Sequence, residues 1–198
     1  RSTVGKERVR RIFTAHTAGS GIPIIVTRTA VGVGVLLAPD MYTDNRGWFF
    51  EGWNQRALKL AGIDAQFVQE NQSHSTRNVL RGLHYQLQKS QGKLVRVLSG
   101  EIFDVAVDMR KASPTFGRSV TARLASTGHQ SIWIPPGFAH GFLVLSEAAT
   151  VLYSVTDYWA PEFERTVAWN DPDLAIDWPL SNPPILSSKD ASGVPFTI

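Results

Sequence analysis

Cysteine is absent from the 198 residues. That excludes disulfides and thiolate metal sites, and it leaves the redox compartment open. Long apolar runs are missing as well: none reaches the ~18 residues that suggest a membrane span, and the apolar stretches present are short, like strands. A broad basic face is also lacking, although the net charge is +3. Arg1, Lys6, Arg8, Arg10, Arg11 and Arg28 stand against Glu7 in the first 28 residues, so the rest of the chain sums to −2. Charge confined to an arm argues against a nucleic-acid partner. Hydrophobic residues at 43% and charged residues at 19% give an ordinary globular balance, and the length suits one domain better than two. Residues 1–21 have no initiator Met, lack the apolar core of a secretory signal and end in Ala18-Gly19-Ser20-Gly21. They are expected to be an expression remnant or a disordered extension, with a basic arm for an anionic partner as the alternative. Residues 22–198 are expected to form one domain.

What is present is a series of short β-branched and aromatic runs broken by turn residues. Strands are expected at Ile22–Val26, Val31–Leu37, Trp48–Trp53, Asp64–Gln69, Val79–Gln86, Lys93–Val97, Glu101–Asp108, Ser119–Ala125, Gln130–Ile134, His140–Leu145 and Ala149–Asp157. Repeated strands at this spacing indicate an all-β sandwich or barrel. Glu101–Asp108 alternates, with Ile102, Asp104, Ala106 and Asp108 on one face and Phe103, Val105 and Val107 on the other, so it is expected to have one polar and one apolar face. Asn54–Ala61 is the good helix candidate, and Trp178–Ile198 is expected to be loops with short helical turns packed on the barrel.

Reactive residue types are densest in Leu80-Arg81-Gly82-Leu83-His84-Tyr85-Gln86 and in Gln91-Gly92-Lys93-Leu94-Val95-Arg96. Alternation places Gly82, His84 and Gln86 on one face, where a glycine leaves room for a ligand near the backbone. If this strand pairs with the next, His84 and Lys93 point into one cavity. His140 stands at a turn leading into a strand, and Tyr153 lies on a strand that is apolar on both sides. Each has a plainer reading alone: a hydrogen-bonded structural His, a solvated Lys, a core Tyr, an ordinary carboxylate at Asp190. A metal centre of the usual barrel type needs about three ligands. Here His84-Tyr85-Gln86 is followed by no carboxylate before Lys93, so no metal is expected.

These segments, with Asp44-Asn45-Arg46-Gly47-Trp48-Phe49-Phe50-Glu51, Gly100 to Asp108, Ser113-Pro114-Thr115-Phe116-Gly117, Trp133 to Phe142 and Leu186-Ser187-Ser188-Lys189-Asp190, closely resemble the dTDP-4-dehydrorhamnose 3,5-epimerase family. The resemblance runs in order from about Val31 to Asp190. It implies a double-stranded β-helix (cupin, jelly-roll) barrel with a few short peripheral helices. It also implies epimerisation at C3 and C5 of a dTDP-linked 4-keto-6-deoxyhexose, without cofactor, by a cytoplasmic homodimer whose N-terminal strands cross over. Carried over residue by residue, His84 is the base, oriented by Asp190; Tyr153 is the acid on the opposite face; Lys93 stabilises the enolate oxygen. Arg46, Glu51, Gln69 and Asn71 match nucleotide-contacting positions, Arg81, His140 and Lys189 match positions near the pyrophosphate, and Glu164 matches another binding position. Glu70 stands where many members have Asp. The rival readings are a relative acting at C3 or C5 only and a non-catalytic sugar-nucleotide-binding cupin.

Overall fold

The computed structural model describes residues 24–28, by backbone, and 34–197. The expected extension 1–21 and the starts of the strands expected from Ile22 and Val31 lie outside these residues. In chain order the elements are β1 (Ile24–Arg28), β2 (Val35–Pro39), β3 (Tyr42–Asp44), β4 (Gly47–Phe49), α1 (Gln55–Leu60), β5 (Gln69–Thr76), β6 (Leu80–Gln86), β7 (Lys93–Ser99) and β8 (Glu101–Asp108). There follow β9 (Ser119–Ala125), β10 (Ser131–Ile134), β11 (Phe138–Val144), β12 (Ala148–Val155), β13 (Glu164–Thr166) and α2 (Ser188–Ala191). The strands form a six-stranded sheet, β1-β2-β10-β7-β12-β5, facing a five-stranded sheet, β13-β6-β11-β8-β9, with β3 and β4 as a separate hairpin.

Three apolar clusters explain the layering. Val95, Val97 and Ile132 of the larger sheet meet Ile102, Ala106 and Phe142 of the smaller one in the interior. Leu80, Leu83, Val105 and Val107 face outward from the smaller sheet and are covered by Val167, Leu174, Trp178 and Phe196 from the C-terminal tail. Leu58 of α1 covers Val35, Leu37, Leu94 and Trp133 outside the larger sheet. Each fully buried large side chain contributes about 1.5–3 kcal/mol before the entropy of ordering is subtracted. Helix α1 begins where Asn54 accepts hydrogen bonds from the Arg56 and Ala57 N–H groups, which satisfies two of the first turn's unpaired donors.

The strand β8 departs from the expected one-sided pattern. Its whole second half is buried on both faces, because the tail covers the outer side. The inward-facing Asp104 and Asp108 are enclosed on the other face, not solvated. Asp108 accepts hydrogen bonds from Arg110, Ser113 and Thr115, which ties down the Ser113–Gly117 turn. Burial alone would raise its carboxyl, but these donors hold it far below the usual carboxylate range. Two other expectations shift. The strand expected over Trp48–Trp53 is the short hairpin arm β4, and the one expected over Asp64–Gln69 starts where that run ends. Strand β13 falls in the stretch after Trp159 where the strand pattern fades.

Candidate active site

The site begins with an irregularity in β6. Against β11, His84 pairs with His140 and Arg81 with Phe142, so β6 spends one more residue than its partner between the two pairs. A bulge of this kind re-aims the side chains after it. Leu80 and Leu83 both pack in the outer cluster, while Arg81 and His84 both line the interior cleft. Gly82, at φ +121°, carries the extra residue. A Cβ there would lie 2.5 Å from the Gly141 Cα. The glycine thus serves the close approach of two strands, not the approach of a ligand as alternation suggested.

His84 is held from behind. Its Nε2 is 2.5 Å from Asp190 Oδ1, joining residues 106 positions apart. A carboxylate at Nε2 fixes the N–H there and leaves the Nδ1 lone pair as the acceptor. Nδ1 has no hydrogen-bond partner among the described residues. Asp190 lies in α2, capped by Ser187, whose hydroxyl donates to Oδ2 at 2.7 Å and accepts from the Asp190 N–H. Burial alone would raise this carboxyl, but the hydrogen bonds from His84 and Ser187, the charge of His84 and the Gly82 N–H hold it below its usual value. It stays a carboxylate across the neutral range.

Tyr153 stands on the facing wall. It is on β12 of the larger sheet, paired with Val95 on β7 and Asn71 on β5. Its ring packs on the interior cluster, and its hydroxyl has no hydrogen-bond partner among the described residues. Burial, followed by the negative charge of Glu164, raises the phenol against the opposing effect of Arg81, so it holds its proton. Lys93 begins β7. The strands β6 and β7 do not pair as the sequence suggested; they belong to opposite sheets, and His84 and Lys93 converge across the barrel. The Lys93 ammonium donates to the His84 carbonyl at 3.4 Å.

The shared cleft has a volume of about 350 Å³. It gathers His84, Lys93 and Tyr153 with Gln69, Asn71, Arg81, His140, Glu164 and Lys189. Gln69 donates to Asn71 at 2.8 Å, Arg81 Nε donates to the buried Ser75 hydroxyl at 2.9 Å, and Lys189 pairs with Glu164 at 2.9 Å. His140 lies within β11, not at its entry turn, and its Nε2 is 2.7 Å from the buried Asp104. Arg46 and Glu51 are not among the lining residues. Arg46 projects from the β3–β4 turn, bound to Asp44 with its side chain 87% exposed, and Glu51 accepts from Asn54. Sequence reasoning passed over four lining residues, Gln91, Gly141, Phe142 and Trp159. An exposed Trp just past a strand was the available signal for the last. Among the described residues no three His, Asp or Glu side chains are grouped as a metal would require, and no helix is long and apolar enough to cross a membrane.

An imidazole and a phenol on opposite walls of one cleft, with an ammonium lining it too, is an arrangement for moving protons on a small polar molecule, and set within two facing β-sheets it defines a cupin-type barrel enzyme. The sequence model of dTDP-4-dehydrorhamnose 3,5-epimerases matches residues 28–197, and the chain belongs to that family. The Pseudomonas aeruginosa dTDP-4-dehydrorhamnose 3,5-epimerase is 56% identical over 86% of this chain and 94% of its own length. The Salmonella typhimurium enzyme of the same name is 50% identical over 85% of this chain and 93% of its own. The Legionella pneumophila dTDP-6-deoxy-D-glucose-3,5-epimerase, solved with dTDP-4-keto-L-rhamnose, superposes with a TM-score of 0.84 at 48% identity, covering 87% of this chain and 92% of that one.

Proposed function

We propose that this protein converts dTDP-4-dehydro-6-deoxy-D-glucose to dTDP-4-dehydro-L-rhamnose by inverting C3 and C5. The observation that carries the reading is the placement of the Asp190-backed His84 and the unpaired Tyr153 hydroxyl on opposite walls of one cleft. Both carbons flank the C4 ketone, so loss of either proton gives an enolate. His84 Nδ1 takes the proton from one face of the sugar ring, and the electron pair moves to O4. The Lys93 ammonium stabilises the charge on O4, and the Tyr153 hydroxyl returns a proton to the opposite face. The phenolate then regains its proton from solvent, and His84 releases the one it took. The test is NMR of the substrate with the enzyme in D₂O. Deuterium at both C3 and C5 is expected. Label at a single carbon would reassign the protein as a one-site epimerase, and no label would make it a binding protein.

Lys93 sets the upper pH limit of this scheme. Burial lowers its ammonium from the usual 10.5 to about 8; Asp104 and Glu164 oppose the fall and Lys189 adds to it. Below that value Lys93 is a cation and can stabilise the enolate; above it the charge is lost. The exchange rate in a pH series should therefore decline from about pH 8. The phenol is raised, so Tyr153 does not cause that limb. A rate that stays level up to pH 10 would remove Lys93 from the mechanism.

The β3–β4 hairpin supports a homodimer in this reading. It displays Tyr42, Trp48 and Phe49, all more than half exposed, around Arg46. A second copy seated on that apolar surface removes it from water. It also gives Arg46 and Glu51, which stand apart from their own chain's cleft, a nucleotide to contact in the partner's.

A further inference from the structure

Asp104 takes no part in the proton path above, yet it is the most enclosed charge near the cleft. It lies mid-strand on β8 and is 1% exposed. Its Oδ2 engages His140, while its Oδ1 is buried without a hydrogen-bond partner among the described residues. A buried carboxylate oxygen left unpaired costs free energy unless positive charge nearby compensates. Of the basic side chains lining the adjacent cleft, His140 contacts Asp104 and Lys93 is drawn by its charge. The other acid close to Lys93 is Glu164, which is already engaged by Lys189. Among the described residues, Asp104 is thus the acid beside Lys93 whose charge no Lys or Arg neutralises by contact.

We propose that Asp104 is a positioning residue for both walls of the site: its Oδ2 fixes His140 with Nδ1 toward the cleft, and its remaining charge holds Lys93 as a cation at the cleft floor. The mechanical part follows from the hydrogen bond. A carboxylate at Nε2 fixes the N–H on that atom and restricts ring rotation, as Asp190 does for His84. The electrostatic part follows from placement. The groups that face Lys93 are Asp104 from β8, Glu164 from β13, Lys189 from α2, His84 from β6, His140 from β11 and Tyr153 from β12. Among these, Asp104 contributes the largest attraction for the ammonium. Asp104 and Lys93 are both buried, so that attraction is weakly screened.

The link from this proposal to rate rests on the epimerase reading; the proposal itself does not. The Lys93 Cε signal of ¹³C-lysine-labelled, ligand-free protein is titrated by NMR in the wild type and in Asp104→Asn. The midpoint, about 8 in the wild type, should fall by roughly one pH unit in the variant. The high-pH limb of deuterium exchange should move with it, so the rate at pH 8 drops about fivefold. A residue that only supports the fold would lower the melting temperature and the rate at every pH and leave the Lys93 midpoint in place; that outcome overturns the proposal. Wild-type protein that titrates as expected but exchanges no deuterium would sink the epimerase reading alone. If Asp104→Asn does not fold, Asp104→Glu keeps the charge and lengthens the arm. Its Lys93 midpoint should match the wild type while KM rises several-fold through His140. A fallen midpoint or an unchanged KM in that variant counts against the proposal.

Discussion

His84→Ala should lose deuterium exchange at both C3 and C5 by about 10²–10⁴ while still binding dTDP. The size follows from removing a general base whose free lone pair is aimed into the cleft by a 2.5 Å contact with Asp190. The survival of binding follows from where the other cations sit. Arg81 keeps its bond to Ser75 and Lys189 its pair with Glu164, and neither depends on the imidazole. The fold should also survive. His84 belongs to none of the three apolar clusters. Asp190 keeps Ser187 and the Gly82 N–H, so the cost of one lost partner is about 1–3 kcal/mol. Exchange and a dTDP titration on the same preparation make the check. Exchange at C5 at the wild-type rate would mean that another group removes that proton.

Tyr153→Phe should separate exchange from inversion. Proton removal by His84 comes before proton return, and the two groups stand on opposite sheets. Without the hydroxyl the enolate still forms and is reprotonated from the side it came from. The variant should load deuterium into the starting sugar at a substantial rate while its inverted product falls by about 10²–10⁴. Phe keeps the ring's packing against the interior cluster and deletes a hydroxyl that has no hydrogen-bond partner among the described residues. Stability should therefore hold, and the readout is chemical. A purely structural tyrosine would instead lower exchange and inversion together. The role is lost if the variant inverts as fast as it exchanges.

Much of the barrel was legible because its signals are local. The Asn54–Ala61 helix carries its own cap, and β6 to β9 are bounded by turn residues within a residue or two of their observed ends. Strand β5 was not legible, because Gln69–Thr76 is polar on both faces: an edge strand turns one face to solvent and the other to a polar cleft. Period-two alternation also fails at the β6 bulge. Strict alternation puts Arg81 and His84 on opposite faces, and one extra residue at Gly82 puts both inside. The site residues His84, Lys93, Tyr153 and Asp190 were reached through motif resemblance; spacing cannot bring together groups on opposite sheets or a pair 106 residues apart. Asp104 was visible only as one polar position in an alternating strand. Its partner, His140, comes from a different strand and becomes known only with the sheet order.

The tail that closes the outer face of the smaller sheet is also the segment that completes the base. The last strand of the two facing sheets, β13, ends at Thr166, whereas Asp190 arrives in α2, between Trp178 and Phe196 of the outer apolar layer. At ~5–20 residues per second, the ribosome takes roughly one to five seconds to make the intervening stretch of about 24 residues. During that time a nascent chain holds His84 without its carboxylate. The tail that covers Leu80 and Leu83 also carries Asp190 to His84, so packing on the outer face and orientation of the base draw on one segment. A molecule clipped ahead of Ser187 would lose at one cut both Phe196 of the outer layer and the carboxylate that orients His84.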